Sequence, residues 1–284
     1  MSSRIDSLLN KAVAHLQASS ALTDEGYRLD AELLLCHVIG QPRSYLFTWP
    51  EKELGTSDQI AFRKLVEQRA TGIPVAYLTG TREFWSLTLK VNDQVLIPRP
   101  DTELIVELAL SRQLRQNAVI ADLGTGSGAI ALALAGEKPD WQVLAVDQSH
   151  GALATAQENA RFNHINNVSF LAGSWCQPLA DKKLDMIVTN PPYIREDDHH
   201  LTQGDVRFEP RSALASGKDG LEDIRQIVCD SRNHLPPGGW LLIEHGYDQG
   251  QAVAELMTGQ GYIEVVTKQD LAGHDRVTMG QLMG

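Results

Sequence analysis

The chain has 284 residues, 43% hydrophobic and 21% charged, with a formal net charge of −11, enough apolar material for one large domain or a medium one with a smaller companion. Residues 1–80 carry 8 Lys+Arg against 9 Asp+Glu and the remaining 204 carry 17 against 27, so the acidity sits in the larger part and argues against direct binding to long nucleic acid. Cys36, Cys176 and Cys229 lie far apart without CxxC spacing, so neither a disulfide framework nor a zinc knuckle is suggested and no metal site is assigned.

Arg4, Asp6 and Lys11 stand where a signal peptide needs an unbroken apolar core, and no later run approaches membrane-spanning length. A cytoplasmic protein is expected, with no membrane association. Ile5, Leu8, Leu9, Ala12, Val13 and Leu16 repeat at helical spacing, followed by stripes through Leu29, Leu33 and Cys36 and through Phe62, Leu65 and Val66. Residues 1–75 therefore read as an all-helical domain. The texture changes at Thr71-Gly72-Ile73-Pro74, and "EFWSLTLKV" alternates as a strand or hairpin does, so residues 76–98 are expected to form a linker with a β-hairpin.

From residue 119 the order becomes strand, glycine turn, helix, strand, with apolar runs at 119–123, 143–146, 168–171, 186–188 and 240–244 and closing strands at 262–267 and 276–279. Helices are expected from Ser127, around 152–162, at 221–234 and around 251–257. The alternation predicts an α/β, doubly wound, mostly parallel seven-stranded sheet over residues 99–284.

In "VIADLGTGSGAIALALA", Gly124, Gly126 and Gly128 fall between a strand and a helix, where a backbone without Cβ atoms can approach a ligand closely. Alone the signal is weak, because Gly124, Gly126 and Ala129 also satisfy a dinucleotide pattern and such turns can be purely structural. The next strand ends in Asp147, from which a carboxylate can accept from both ribose hydroxyls of an adenosyl ligand, unless it merely caps the following helix, a role Ser149 could equally fill. Asp122 favours a sulfonium cofactor, S-adenosylmethionine, over a dinucleotide, since a carboxylate can accept from an ammonium but repels a pyrophosphate.

The run Met186-Ile187-Val188 meets "TNPPYI", and proline lacks the N–H a sheet ladder needs, so the strand stops there. Its end lies on the same rim as Gly124 and Asp147, because ligands sit beyond the carboxyl ends of the strands in an open α/β sheet. An amide or ring-amine nitrogen is a poor nucleophile whose N–H groups must be held while its lone pair faces a methyl group. Asn190 can accept one N–H through its side chain and the carbonyl of Pro191 the other, with the prolines fixing both acceptors in advance. Tyr193 would stack on the planar target. In "REDDHH" the adjacent His199 and His200 are expected to point different ways, as neighbours do on a strand or helix, and the segment reads as a solvated loop over the substrate.

Taken together, "DLGTGSGAIALALA", "AVDQS", "TNPPYI", "GDVRFEP", "REFWSLTL" and "LIPRPDTE" closely resemble the bacterial release-factor glutamine N5-methyltransferases across nearly the whole chain. The resemblance implies a Rossmann-like class I S-adenosylmethionine-dependent methyltransferase domain behind a helical substrate-binding domain, acting on the Gly-Gly-Gln glutamine of class I peptide chain release factors and so on translation termination. It implies that Gly124, Thr125, Gly126, Ser127 and Gly128 hold the cofactor with Asp147 on its ribose, and that Trp175 lines the adenine region, although a lone tryptophan is more often a core aromatic. Asn190 would touch both cofactor and glutamine, with Pro191, Pro192 and Tyr193 completing the substrate pocket. Arg99, Glu103, Arg207 and Glu209 receive no catalytic role, surface salt bridges and helix caps explaining them as well. The rivals are an enzyme methylating an exocyclic amine of adenine or guanine in nucleic acid, a nicotinamide-dependent dehydrogenase, and a non-catalytic ribosome-associated binding module. A monomer is expected.

Overall fold

A computed structural model describes residues 3–22 and 26–284. The chain divides into two units, one formed by residues up to Thr81 together with Thr202–Phe208, the other by Arg82–Leu201 and Glu209–Gly284.

The first unit packs α1 (Ile5–Gln17), α2 (Tyr27–Ile39), α3 (Arg43–Thr48), α4 (Thr56–Ala70) and α5 (Val75–Thr79). Its core takes Ile5, Leu9, Ala12 and Leu16 from α1 and Phe62 and Val66 from α4, the i, i+3, i+4 stripe of an amphipathic helix. In α2 the buried face is Ala31, Leu34 and Leu35, and the expected stripe through Leu29, Leu33 and Cys36 is corrected: Leu29 is exposed and the other two are only partly covered. Three consecutive leucines at 33–35 make that helix apolar on several sides, so spacing alone does not fix its inward face.

Among the described residues of this unit, two charged groups are buried. Glu32 meets Arg28 and Arg43, each at 2.7 Å. The Arg69 guanidinium meets Asp30 and Asp205, each at 2.7 Å, and donates to the carbonyls of Gly72 and Ile73. Arg207 donates to the carbonyls of Ala21 and Thr71. Thus 202–208, distant in sequence, is held in the helical unit by its own side chains.

The second unit opens on the hairpin of β1 (Thr81–Phe84) and β2 (Leu87–Lys90), β1 taking its first residue from the end of the first unit, and continues through α6 (Glu103–Leu110), β3 (Val119–Leu123), α7 (Ala129–Glu137), β4 (Gln142–Asp147), α8 (His150–Phe162) and β5 (Val168–Ala172). It closes with β6 (Met186–Thr189), α9 (Glu222–Ser231), β7 (Trp240–Glu244), α10 (Gly250–Gly259), β8 (Tyr262–Gln269) and β9 (Asp275–Leu282). The seven-stranded sheet has the order β5-β4-β3-β6-β7-β9-β8. Its first five strands are parallel and β9 runs antiparallel to both β7 and β8. The expected doubly wound sheet is present, and the helical domain precedes it.

Both faces are covered, as a parallel sheet requires. Ile120, Val143, Ala145 and Val188 pack with α6 and α7 on one side, while Ala121, Leu123, Leu144, Val146 and Ile187 pack with α9 and α10 on the other. Residues 129–135 of α7 are all buried, the signature of a helix that is apolar all round. Strand order reverses at β3, which has β4 on one side and β6 on the other, and that reversal opens a crevice at the carboxyl ends.

Candidate active site

The turn from β3 into α7 is bolted to β4. The amides of Gly124 and Thr125 both donate to the Val146 carbonyl at 2.9 Å, and the Gly126 amide donates to Oδ2 of Asp147 at 2.9 Å. Gly124, Gly126 and Gly128 have φ of +73°, +56° and +87°, a region that costs an L side chain about 1–2 kcal/mol. The space around two of them differs in an informative way. A Cβ at Gly128 would lie 3.0 Å from Leu132 Cδ1 and 3.2 Å from Ala156 Cβ, whereas one at Gly126 would meet nothing within 4 Å. Gly128 thus permits close helix packing, and Gly126 leaves ligand space open.

A cavity of about 410 Å³ lies against this turn, lined by Gly124, Gly126, Asp147, Trp175, Asn190 and Pro192, with further walls from 93–96 and 210–213. The volume lies within the range of small-molecule sites, about 300–1,000 Å³. Thr125, Ser127, Gly128, Pro191 and Tyr193, expected in the site on sequence grounds, do not line it. The first three support the turn from behind. Thr125 donates to Oδ2 of Asp122 at 2.6 Å, the Ser127 carbonyl accepts from the fully buried Asn159, and the Gly128 amide donates to the Thr125 carbonyl.

Asp147 accepts one backbone N–H on each oxygen, from Gly126 and Ser149. Ser149, with its hydroxyl accepting from Ala152 N, is the N-cap of α8. A carboxylate has about four lone-pair sites, so Asp147, with the Gln148 amide also close, keeps capacity to accept from a ligand hydroxyl. Burial raises the Asp147 carboxyl above its ordinary value, its backbone donors pulling the other way. Trp175, at φ +45°, donates its indole N–H to Asp223 at 3.2 Å, and its ring approaches Gly124, where a Cβ would stand 3.1 Å from it. The glycine is what lets the ring in.

Asp122 is buried, its Oδ2 accepting from Thr125 and from the Ala131 amide while Oδ1 has no partner among the described residues. Burial pushes its carboxyl up to about 7, the nearby Asp147 charge adding to the rise. An open glycine cradle and a diol acceptor on one cavity wall fit S-adenosylmethionine, whereas Asp122, buried behind the turn, does not line the cavity and is not placed to meet the ammonium. A pyrophosphate would face acidic groups here.

Asn190 follows β6, whose Thr189 pairs with Leu123 of β3 and donates its hydroxyl to the Leu123 carbonyl at 2.7 Å. Nδ2 of Asn190 donates to Thr102 Oγ1 at 3.1 Å, which leaves the side-chain oxygen as the atom the residue can offer to a substrate N–H. Pro191 and Pro192 are buried. The Tyr193 ring packs with the core beneath the sheet, and its phenol is pushed up to about 12 by burial and by the Glu244 charge. Its carbonyl accepts from Gln249 at 3.0 Å.

Glu209 is buried, bonded to Arg99 and to the Ile97 amide, and Glu103 accepts from the Trp85 amide at 2.8 Å. These contacts frame loops and do not line the cavity. The turn at His199–Thr202 brings the rings of His199 and His200 to 4.0 Å, both beside Asp198, where the sequence predicts divergence. A tight 3-10 turn supplies neither the strand nor the α-helical side-chain directions on which that expectation rests. All three Cys are free, and no helix among the described residues is long and apolar enough to cross a membrane. Sequence reasoning missed Thr102 and Glu244. The second carried a readable signal, an apolar strand ending in an acid at the rim, as β4 does in Asp147.

Residues 7–80 match the family model described as the PrmC N-terminal domain, and residues 101–208 match the methyltransferase small domain. The chain is 51% identical over 282 residues to the release factor glutamine methyltransferase of Vibrio cholerae, covering 99% of this chain and 98% of that protein. It is 48% identical over 273 residues to the protein of that name from Escherichia coli K12, covering 96% and 97% respectively. A solved methyltransferase of Pyrococcus furiosus superposes with a TM-score of 0.53 over 70% of this chain and 91% of that one at 18% identity, a likeness of fold.

Proposed function

We propose that the chain, which belongs to the release factor glutamine methyltransferases, holds its substrate amide with the side-chain oxygen of Asn190 and the main-chain carbonyl of Pro191. It is an S-adenosylmethionine-dependent enzyme that methylates a glutamine side-chain nitrogen of a release factor. S-adenosylmethionine supplies an electrophilic methyl carbon. Gly124, Gly126, Asp147 and Trp175 seat that cofactor, and Thr125, Ser127 and Gly128 fix the turn that seats it.

An amide nitrogen attacks weakly because its lone pair is delocalised. Two fixed acceptors hold its N–H bonds and aim the lone pair at the methyl carbon, an orientational contribution that needs no proton carrier. The N-methylated product cation is acidic and releases its proton to water. Pro191 and Pro192 hold the backbone in place before substrate arrives. Tyr193 acts by packing beneath this segment and by completing the substrate pocket on binding.

The reading is carried by one observation: Asn190, its nitrogen already bonded to Thr102, lines the same cavity as Gly126 and Asp147. We extend it to the Gly-Gly-Gln glutamine of class I release factors, to residues 1–75 as the substrate-gripping domain with 76–98 as linker and 99–284 as the transferase, and to a cytoplasmic monomer. Incubation with a release factor and methyl-labelled cofactor, followed by peptide mass spectrometry, tests the substrate. Label anywhere but on that glutamine overturns it, and full turnover by Asn190→Ala with intact cofactor affinity overturns the site.

A further inference from the structure

Strand β7 ends in a carboxyl that the reaction described above does not use. Glu244 is 1% exposed. The pairing of Thr189 with Ile243 places it level with Asn190, one residue past the last β6–β7 pair. Its carboxyl lies beside the Thr102 and Asn190 side chains, both of which favour its ionised form, and one oxygen, Oε2, has no partner among the described residues. Thr102 is also buried, and it is the hydroxyl that receives Nδ2 of Asn190. Thr102 and Glu244 thus gather behind the proposed substrate acceptor, the first bonded to it.

The geometry points to Glu244 as a positioning residue: its ionised carboxylate holds the NH2 of Asn190, directly and through Thr102, so that the side-chain oxygen faces the substrate amide. The inference rests on the role of Asn190 proposed above. A carboxamide presents oxygen or nitrogen according to a half-turn about its terminal torsion, and only the oxygen can accept a substrate N–H. An ionised carboxylate accepts and never donates, so it selects the productive orientation. Once protonated, it gains an O–H that suits the amide oxygen and rewards the reverse one.

The groups facing Glu244 are Arg276 from β9, Asp101 from the turn before α6, and Tyr193 from the segment after β6, with Arg99 also facing that tyrosine. Burial, more than any of these, pushes the carboxyl up to about 7, Arg276 opposing the rise and Asp101 adding to it. Ionisation therefore falls inside the range where the enzyme can be assayed.

The test measures release-factor methylation from about pH 6 to pH 9 for the wild type, Glu244→Gln and Asn190→Ala. Wild-type kcat/KM is expected to rise with pH through about 7 as the carboxyl ionises. Glu244→Gln, whose amide can donate to the oxygen of Asn190, is expected to lose that rise and to turn over roughly tenfold to a hundredfold more slowly. Its Kd for S-adenosylmethionine should stay unchanged and its thermal midpoint should be no lower, which a merely structural role would not give. Glu244→Gln with wild-type kcat/KM and an intact pH rise overturns the proposal, provided Asn190→Ala is inactive. An active Asn190→Ala overturns the substrate-site reading itself. Should Glu244→Gln fail to fold, Thr102→Val decides: slower turnover at unchanged cofactor affinity supports the relay, and wild-type turnover refutes it.

Discussion

Adding one methyl group at Gly126 and at Gly128 should separate binding from stability, although the two residues are two apart in one turn. Both have positive φ, so Gly→Ala carries about 1–2 kcal/mol of backbone strain at either position. At Gly126 the new Cβ meets nothing within 4 Å, and the strain is the whole effect on folding. At Gly128 it would press on Leu132 and Ala156 at 3.0 and 3.2 Å. Overpacking of that kind adds about 1–3 kcal/mol, giving a total of roughly 2–5 kcal/mol. The order reverses for ligand affinity. The Gly126 methyl projects where S-adenosylmethionine is proposed to lie, so Kd should rise at least about tenfold, equivalent to about 1.4 kcal/mol. Gly128→Ala that remains folded should bind within a few-fold of wild type. Urea unfolding followed by tryptophan fluorescence gives the first quantity, titration calorimetry the second. Equal stability losses in the two variants, or wild-type affinity in Gly126→Ala, would refute the assignment of these glycines.

Asp147→Asn keeps the shape but removes the ionised acceptor. Loss of charge-assisted hydrogen bonds of about 1.5–3 kcal/mol should weaken S-adenosylmethionine and S-adenosylhomocysteine alike in calorimetry, since both carry the ribose. Selective loss of one would place Asp147 elsewhere. Arg69→Met strips the charge partner from Asp30 and Asp205; both are partly solvated, so the lower end of the range for a broken buried pair applies, about 3 kcal/mol, read from the urea midpoint of the helical unit, and a change under about 1 kcal/mol would show that the pair is incidental. The carboxyl of Asp122 is raised by burial to about 7 in the folded chain. The fold therefore binds that proton more tightly than the unfolded chain, and its contribution is present at low pH and lost as pH rises from the ordinary carboxylate value through 7. Asp122→Asn should flatten this fall in the ligand-free enzyme, and an unchanged slope between about pH 5 and pH 8 would contradict it.

The sheet was readable because parallel strands buried on both faces appear as uninterrupted apolar runs, and the turn after β3 because its glycines combine with an acid at the end of the next strand. Asp147 and Asn190 were readable from position, a polar residue where an apolar run stops. What could not be read depends on partners distant in the chain. Thr102 has no local signal, and its importance comes from Asn190, 88 positions later. Tyr193 is partly buried against an apolar cluster while its phenol faces Glu244 and Arg276, partners that lie far from it in the chain. The inward face of α2 was misjudged because Leu33, Leu34 and Leu35 are chemically identical and only packing distinguishes them.

Because Thr202–Phe208 belongs to the helical unit while its flanks belong to the sheet unit, neither unit is a continuous stretch of polypeptide. A fragment ending at Thr81 would lack Asp205 and Arg207 and leave the guanidinium of Arg69 short of one counter-ion. Scission inside 202–208 would injure the helices, not merely nick a tether. Dissecting this enzyme by truncation therefore calls for circular permutation or for supplying the heptapeptide in trans.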